Sequence, residues 1–390
     1  MSAVLYNQEI ILQYRNRTCR QTGMTSSRGS IFAVTLLLCV FAISLMSGAV
    51  SASTYKFTVL DTLGGPYGIA SAINNSGQVA GYTPGPEYDH AVKWDGPFPI
   101  DLHSLNGAVS QATDINDSGQ VVGWGHGAPS SGDTRALLSD GVHPPAFLKP
   151  LDGGASWANA INNAGSVVGN SSASDNATIH ATLWQGDDAI DLGTLGGTSS
   201  FAYGINDAGQ IVGESRLSGD EISHATLWDR TSLTDLGALA GPSHFSFASD
   251  INNRQQVIGG IEVDSSGIQH VILWNGASVT DLGQGFAADI NNNGQVVGTR
   301  DFAAWLWDQG TGSNLNEFLD TTTVNAGWYL RDAAGINDRG WITGTAVNSI
   351  DGRTRAYILT PVPEPGAAAL MLLGLGVIVV MIRCQSSRMA

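Results

Sequence analysis

The chain has 390 residues, with 18 Lys and Arg against 34 Asp and Glu and a formal charge of −16 at pH 7. Such acidity argues against nucleic acid and anionic lipid as partners of the main domain, since both demand basic patches. The 3 cysteines, Cys19, Cys39 and Cys384, all lie towards the chain ends, so the body of the protein holds no disulfide and must rely on packing.

Residues 1–52 read as a signal peptide region. Arg15, Arg17, Arg20 and Arg28 precede an apolar stretch from Ile31 to Met46, and Val50-Ser51-Ala52 offers a small-residue cleavage site. An uncleaved anchor is the competing reading, but the apolar stretch is short for a bilayer span. Met24 is an alternative start to Met1.

Residues 53–360 form one domain built on a repeat. The stretch from Ser200 to Gly213 recurs seven times, with Ile73, Ile115, Ile161, Ile205, Ile251, Ile290 and Ile336 in register. An Asn follows each Ile, an Ala stands three residues before it and a Gly eight after it. Each copy carries four short apolar runs. In the fourth copy these are Phe201 to Ile205, Gln210 to Val212, His224 to Trp228 and Ser232 to Leu236, and Asn206-Asp207-Ala208-Gly209 is a hairpin turn between the first two. Four strands per unit of about 40–45 residues is the spacing of a propeller blade. A parallel solenoid is the runner-up, though its coils need no hairpin here.

The ends of the array fit a ring. Tyr55 to Leu60 resembles a fourth run, and the last copy stops after a third run, Arg355 to Leu359. Pairing the two completes a seventh blade and removes two open edges. The expected fold is therefore an all-β, seven-bladed propeller of four-stranded blades closed by the N-terminal strand. The recurring alanines (such as Ala202) fall on innermost strands, the glycines (such as Gly213) mark close backbone approach, and Trp94, Trp184, Trp228, Trp274 and Trp307 are core filler between blades.

Residues 361–390 differ in kind. Val362, Pro363, Glu364 and Pro365 break regular structure, an apolar segment covers 367–382, and Arg383 and Arg388 follow as a membrane stop. This order resembles the PEP-CTERM sorting signal of Gram-negative bacteria. The resemblance implies processing by exosortase, a membrane cysteine transpeptidase, in cells that make exopolysaccharide. It also implies export through the inner membrane, transient or permanent residence there through the C-terminal segment, and a cell-surface or extracellular destination. The repeats resemble the HAF family of extracellular repeats, named for a His-Ala-Phe-like third strand. Here that strand begins His90-Ala91, His180-Ala181 and His224-Ala225, with departures at Arg135-Ala136, His270-Val271 and Arg355-Ala356.

No catalytic motif is present: the exported part has no G-x-S-x-G elbow, H-E-x-x-H, phosphate loop or cysteine. Asp264-Ser265-Ser266-Gly267 and Asp220-Glu221 lack calcium-ligand spacing, so no cofactor is expected and calcium is permitted only by the acidity. The recurrent His and the recurrent Asp of the fourth run (Asp101, Asp191, Asp235, Asp281) are structural, the Asp as a turn cap. Singular residues on the variable loops are the better binding candidates. They are Trp124, His126, Asp133 and Arg135, then Glu214 and Arg216, then Arg300 and Asp301, a set able to grip a sugar. A solvated polar rim is the alternative. Two functions follow: a non-enzymatic surface or matrix protein that binds exopolysaccharide or another surface partner, or an exported glycan hydrolase or lyase working from that face.

Overall fold

Each repeat folds by the same local rule. Asn206 turns the chain by accepting the Gln210 N–H at its side-chain oxygen (2.9 Å), while its backbone oxygen accepts the Gly209 N–H at 3.0 Å. Gly209 holds φ at 81°, where a side chain would be strained. The strands leaving this turn alternate or run apolar, so both faces of each sheet are buried against neighbouring blades.

A computed structural model describes residues 55–362, apart from 103–108, 127–133, 142, 153, 174–177, 187, 230–231, 241–243 and 263–268. The described chain forms seven antiparallel sheets, one per repeat, as a seven-bladed propeller. In blade 4 the order from the axis outward is Gly196–Ile205, Ile211–Leu217, Ser223–Asp229 and Ser232–Asp235. Blades 1, 2, 3, 5 and 6 repeat that plan. Blade 7 closes as expected: Tyr55–Val59 pairs antiparallel with Thr354–Pro361, Tyr55 opposite Pro361 and Val59 opposite Tyr357. Its inner strand is split, however, into Trp328–Leu330 and Gly335–Ile336, with Ala333 buried between the pieces.

The blades pack with small residues inside and large ones outside. Ala158, Ala202 and Ala248 are fully buried on the inner strands, and Trp94, Trp184, Trp228, Trp274 and Trp307 are buried on the third strands. A Cβ added at Gly213 would run into the Phe201 carbonyl oxygen, and the equivalent glycine of every blade meets the same obstruction.

Polar side chains then tie blade to blade. The Ala91, Ala136, Ala181 and Ala225 N–H groups each donate to a Ser Oγ on the next blade's inner strand at 3.0 Å. Asn74, Asn116, Asn162, Asn206, Asn252, Asn291 and Asn337 go further. Each Nδ2 donates to the backbone oxygen of the next blade's Asn at 2.9–3.2 Å, and Asn337 returns to Asn74 at 3.0 Å. The seven bonds form a closed, buried circle.

A second circle surrounds it. The residue after each of these Asn donates its N–H to the side-chain oxygen of the matching residue in the next blade, through Asn75, Asp117, Asn163, Asp207, Asn253, Asn292 and Asp338. Asn and Asp alternate so that amides donate to carboxylates, as Asn163 does to Asp117 (3.3 Å) and Asp207 (3.2 Å). Seven positions cannot alternate perfectly. The one like pair is Asn253 and Asn292, so no two carboxylates stand side by side.

Candidate functional site

The inner strands of blades 1 to 6 each carry a bulge just before their Ile, as at Ala202/Gly204 and Asp250. A bulge leaves one residue unpaired and re-aims its neighbours. Around the axis these residues line a cavity of about 260 Å³ that ends at the two Asn circles. Its walls carry Thr113, Asn159, Tyr203, Ser249 and the carboxyls Asp114, Asp250 and Asp289, with Asp117, Asp207 and Asp338 at the hairpin end. No Lys, Arg or His is among the lining residues.

Asp114, Asp250 and Asp289 occupy one position, directly before the Ile, where the other blades have Ala72, Ala160, Gly204 and Gly335. Each carboxylate reaches across to the next blade and accepts the Ile N–H: Ile161 onto Asp114 at 2.8 Å, Ile290 onto Asp250 at 3.2 Å, Ile336 onto Asp289 at 2.7 Å. They touch the cavity but lie deep in the protein. Desolvation raises the Asp114 pKa to about 6 against the pull of its backbone N–H donors. Asp250 is raised by desolvation too, while Asp289 is pushed well up by desolvation and then by the Asp250 charge. Asp250 and Asp289 lie close enough for each to bias the other's protonation, so the two titrate as a pair. Among the described residues no grouping of three or more His, Cys, Asp or Glu side chains is arranged to hold a metal. The carboxylates therefore satisfy bulged backbone and give the cavity an anionic wall; hydroxyls and amides supply the rest of its hydrogen bonding.

The recurrent His and Asp are one device. His90, His180, His224 and His270 place Nδ1 2.7–3.0 Å from the carboxylates of Asp101, Asp191, Asp235 and Asp281, binding third strand to fourth. Three of these Asp also cap the following turn, accepting the N–H of Gly193, Ala238 or Gly283.

The sequence-selected rim residues fall into three places. Trp124, His126, Arg135, Glu214, Arg216 and Arg300 stand on strands rather than in loops, because the second and third strands run further than their apolar runs suggest. Asp133 lies outside the described residues. In blade 2 the Trp124 and His126 rings are 6.2 Å apart. In blade 4 Glu214 is largely buried and accepts the Tyr203 hydroxyl at 2.9 Å, while Arg216 donates to the Asp220 carbonyl at 2.7 Å. In blade 6 the Arg300 guanidinium lies 4.7 Å above the Trp305 ring and 3.5 Å from Asp301. Intervening blades separate the three pairs, and no contact joins them among the described residues.

Sequence reasoning missed Asp114, Asp250 and Asp289. The signal was available: three carboxylates at a position that is otherwise Ala or Gly.

Comparison with known proteins bears on the C-terminus. A PEP-CTERM protein-sorting motif matches residues 361–386. No curated protein is significantly similar to the chain. The motif implies processing by exosortase and accords with export and display at the cell surface. Val362 is the last described residue. Pro363, Glu364, Pro365, the apolar segment 367–382, Arg383 and Arg388 lie outside the described residues, as do residues 1–52. Among the described residues no helix is long and apolar enough to cross a membrane.

Proposed function

We propose that the protein is a non-enzymatic surface propeller that binds exopolysaccharide once exosortase has sorted it. The observation that carries this reading is the sorting motif at 361–386, joined to a closed ring. The HAF-like reading of the repeats, resting on His90-Ala91, His180-Ala181 and His224-Ala225, belongs to the same proposal. Blade 6 supplies the binding platform. Its second and third strands meet in a turn whose residues Asp301 and Phe302 hold φ at 52° and 59°. Such backbone costs a bulky L-residue on the order of 1–2 kcal/mol. Phe302 is nevertheless kept there, 84% exposed, beside the Arg300–Trp305 stack. An open aromatic face next to a guanidinium suits the apolar face and hydroxyls of a sugar ring.

Phe302→Gly separates binding from folding, because it removes the ring and relaxes the turn. The variant should melt at or above the wild-type temperature yet migrate faster than wild type in gels containing the host polysaccharide. Arg300→Ala should weaken retention as well, whereas Trp228→Ala should unfold blade 4, at a cost of about 3–5 kcal/mol. Undiminished retention for Phe302→Gly and Arg300→Ala would remove blade 6 from the account, and release of new sugar ends would replace binding with the hydrolase or lyase reading.

The sorting step has its own test. Glu364→Ala or Pro363→Ala should leave export intact but keep the tail attached, so the protein stays in the membrane fraction. Neutralising Arg383 and Arg388 should instead weaken the membrane stop. C-terminal mass measured with and without the host's exosortase decides: an intact residue 366–390 segment in both hosts makes the tail a plain anchor.

A further inference from the structure

The ring closes at a seam, and the seam leaves a cavity of about 280 Å³. Its walls are Trp328, Arg353 and Arg355 from blade 7, Asp61 just past the N-terminal strand, and Phe98 and Pro99 from blade 1. We propose that this seam cavity binds one carboxylated sugar ring, a uronate residue of an acidic polysaccharide. The proposal rests on the glycan-binding reading and adds a second contact point with its own chemistry.

Two arginines, Arg353 and Arg355, face one carboxylate, Asp61, among the cavity walls. Arg355 is fixed by two bonds from Nη1, to the Pro66 carbonyl at 2.6 Å and the Thr354 carbonyl at 2.8 Å. Among the described residues no carboxylate lies in ion-pair contact with it. Its neighbour Arg353 is already paired, Nε donating to Asp351 at 2.6 Å. Desolvation, and then the Arg353 charge, lower the Arg355 pKa against the opposing pull of Asp351 and Asp61. A planar carboxylate matches the free edge of a fixed guanidinium in a two-bond fork.

The remaining walls suit the rest of a sugar. Asp61 is anchored by its backbone groups, N–H to the Pro97 carbonyl at 2.8 Å and carbonyl to Trp94 Nε1 at 2.8 Å, and its carboxylate offers acceptors to hydroxyls. Phe98 is 68% exposed at the mouth, and Trp328 is held in place against Phe57, ring centroids 5.6 Å apart. Aromatic faces on two sides take the apolar faces of a pyranose. The volume lies just below the range of about 300–1,000 Å³ for larger ligands, which limits the site to a single ring. Asp61 also sets the charge limit: it tolerates a monoanion held by Arg355 but repels a phosphate dianion.

Titration calorimetry of the full-length protein tests this with three probes: a uronate tetrasaccharide, a neutral glucose tetrasaccharide and inorganic phosphate. Heat is expected with the uronate alone. Arg355→Lys, which keeps the charge and loses the fork, should weaken uronate binding by about tenfold. Phe98→Ala alters an exposed ring, so the fold is kept, and it should weaken binding severalfold. Equal binding of the neutral probe, binding of phosphate instead, or uronate affinity unchanged by both variants overturns the proposal. If polysaccharide is retained but is indifferent to both variants, the seam site alone fails. If no saccharide binds at all, the glycan reading falls with it.

Discussion

A chain lacking residues 55–60 should lose its cooperative melt and aggregate, whereas one lacking only Ser53 and Thr54 should behave as wild type. The deleted segment is the outer strand of blade 7, bonded along its length to Thr354–Pro361. It also fills two cores. Tyr55 is buried beside Leu315, Leu330 and Leu359, and Leu60 is fully buried against Ala70, Val79 and Trp94. Removing a buried Leu or aromatic costs about 2–5 kcal/mol each, so the pair alone approaches the roughly 5–15 kcal/mol that holds a whole domain. The loss also leaves the Thr354–Pro361 edge open to other chains. Where the ring closes, the inner circle passes from Asn337 to Asn74 and the second from Asp338 to Asn75, so a sprung seam breaks both. Thermal melting by circular dichroism, with light scattering, decides; equal midpoints for the truncated and intact chains rule out this closure.

The fold was legible because its local rules are written in side chains that have few alternatives. Asn followed by Gly three residues on specifies the hairpin in six of the seven copies, Gln255 taking the positive φ in blade 5, and the Gly eight residues past each Ile specifies a backbone contact that no Cβ permits. Where the repeat breaks, legibility fails. Blade 7 gives no apolar inner run between Leu330 and Gly335, and there Asp332 accepts the Thr345 N–H at 2.8 Å, so a side chain takes over from the ladder. The candidate site was less legible for a different reason. Residues shared by all seven copies point to folding, which drew attention to loops and away from the inner strand. Asp114, Asp250 and Asp289 are singular residues hidden in the most regular part of the repeat. The His–Asp pairs were visible as two separate recurrences; only the register between third and fourth strands shows that His224 and Asp235 are partners. Glu214 looked like a rim acid, and its bond to Tyr203 in the axial cavity depends on a bulge that no local motif announces.

The protein should be more stable at pH 5 than at pH 8, and Asp289→Asn should remove much of that difference. The sign follows from proton uptake. Asp114, Asp250 and Asp289 all hold protons more tightly folded than unfolded, since burial raises each pKa. Between the ordinary carboxylate range and the folded pKa, the native state binds more protons, so stability falls as pH rises through that window. For Asp114 the window runs from 3.8 to about 6, and the raised Asp250 and Asp289 act in the same direction. A shift of this size corresponds to about 3 kcal/mol at most, and screening at a cavity wall would reduce it to the order of 1–2 kcal/mol. The general negative charge acts in the same direction, which is why the variant is needed. Asn at 289 keeps a carbonyl oxygen for the Ile336 N–H and offers an amide to Asp250, but carries no charge. It should gain stability at pH 8 and change little at pH 5. Asp289→Ala should instead lose stability at both, by about 1–3 kcal/mol, because the Ile336 N–H is left unpaired. Denaturant melts at the two pH values give the comparison. A wild-type profile that rises towards pH 8, or one that Asp289→Asn leaves unchanged, would mean that the inner carboxylates bear no net electrostatic cost and that the cavity is better solvated than its geometry implies.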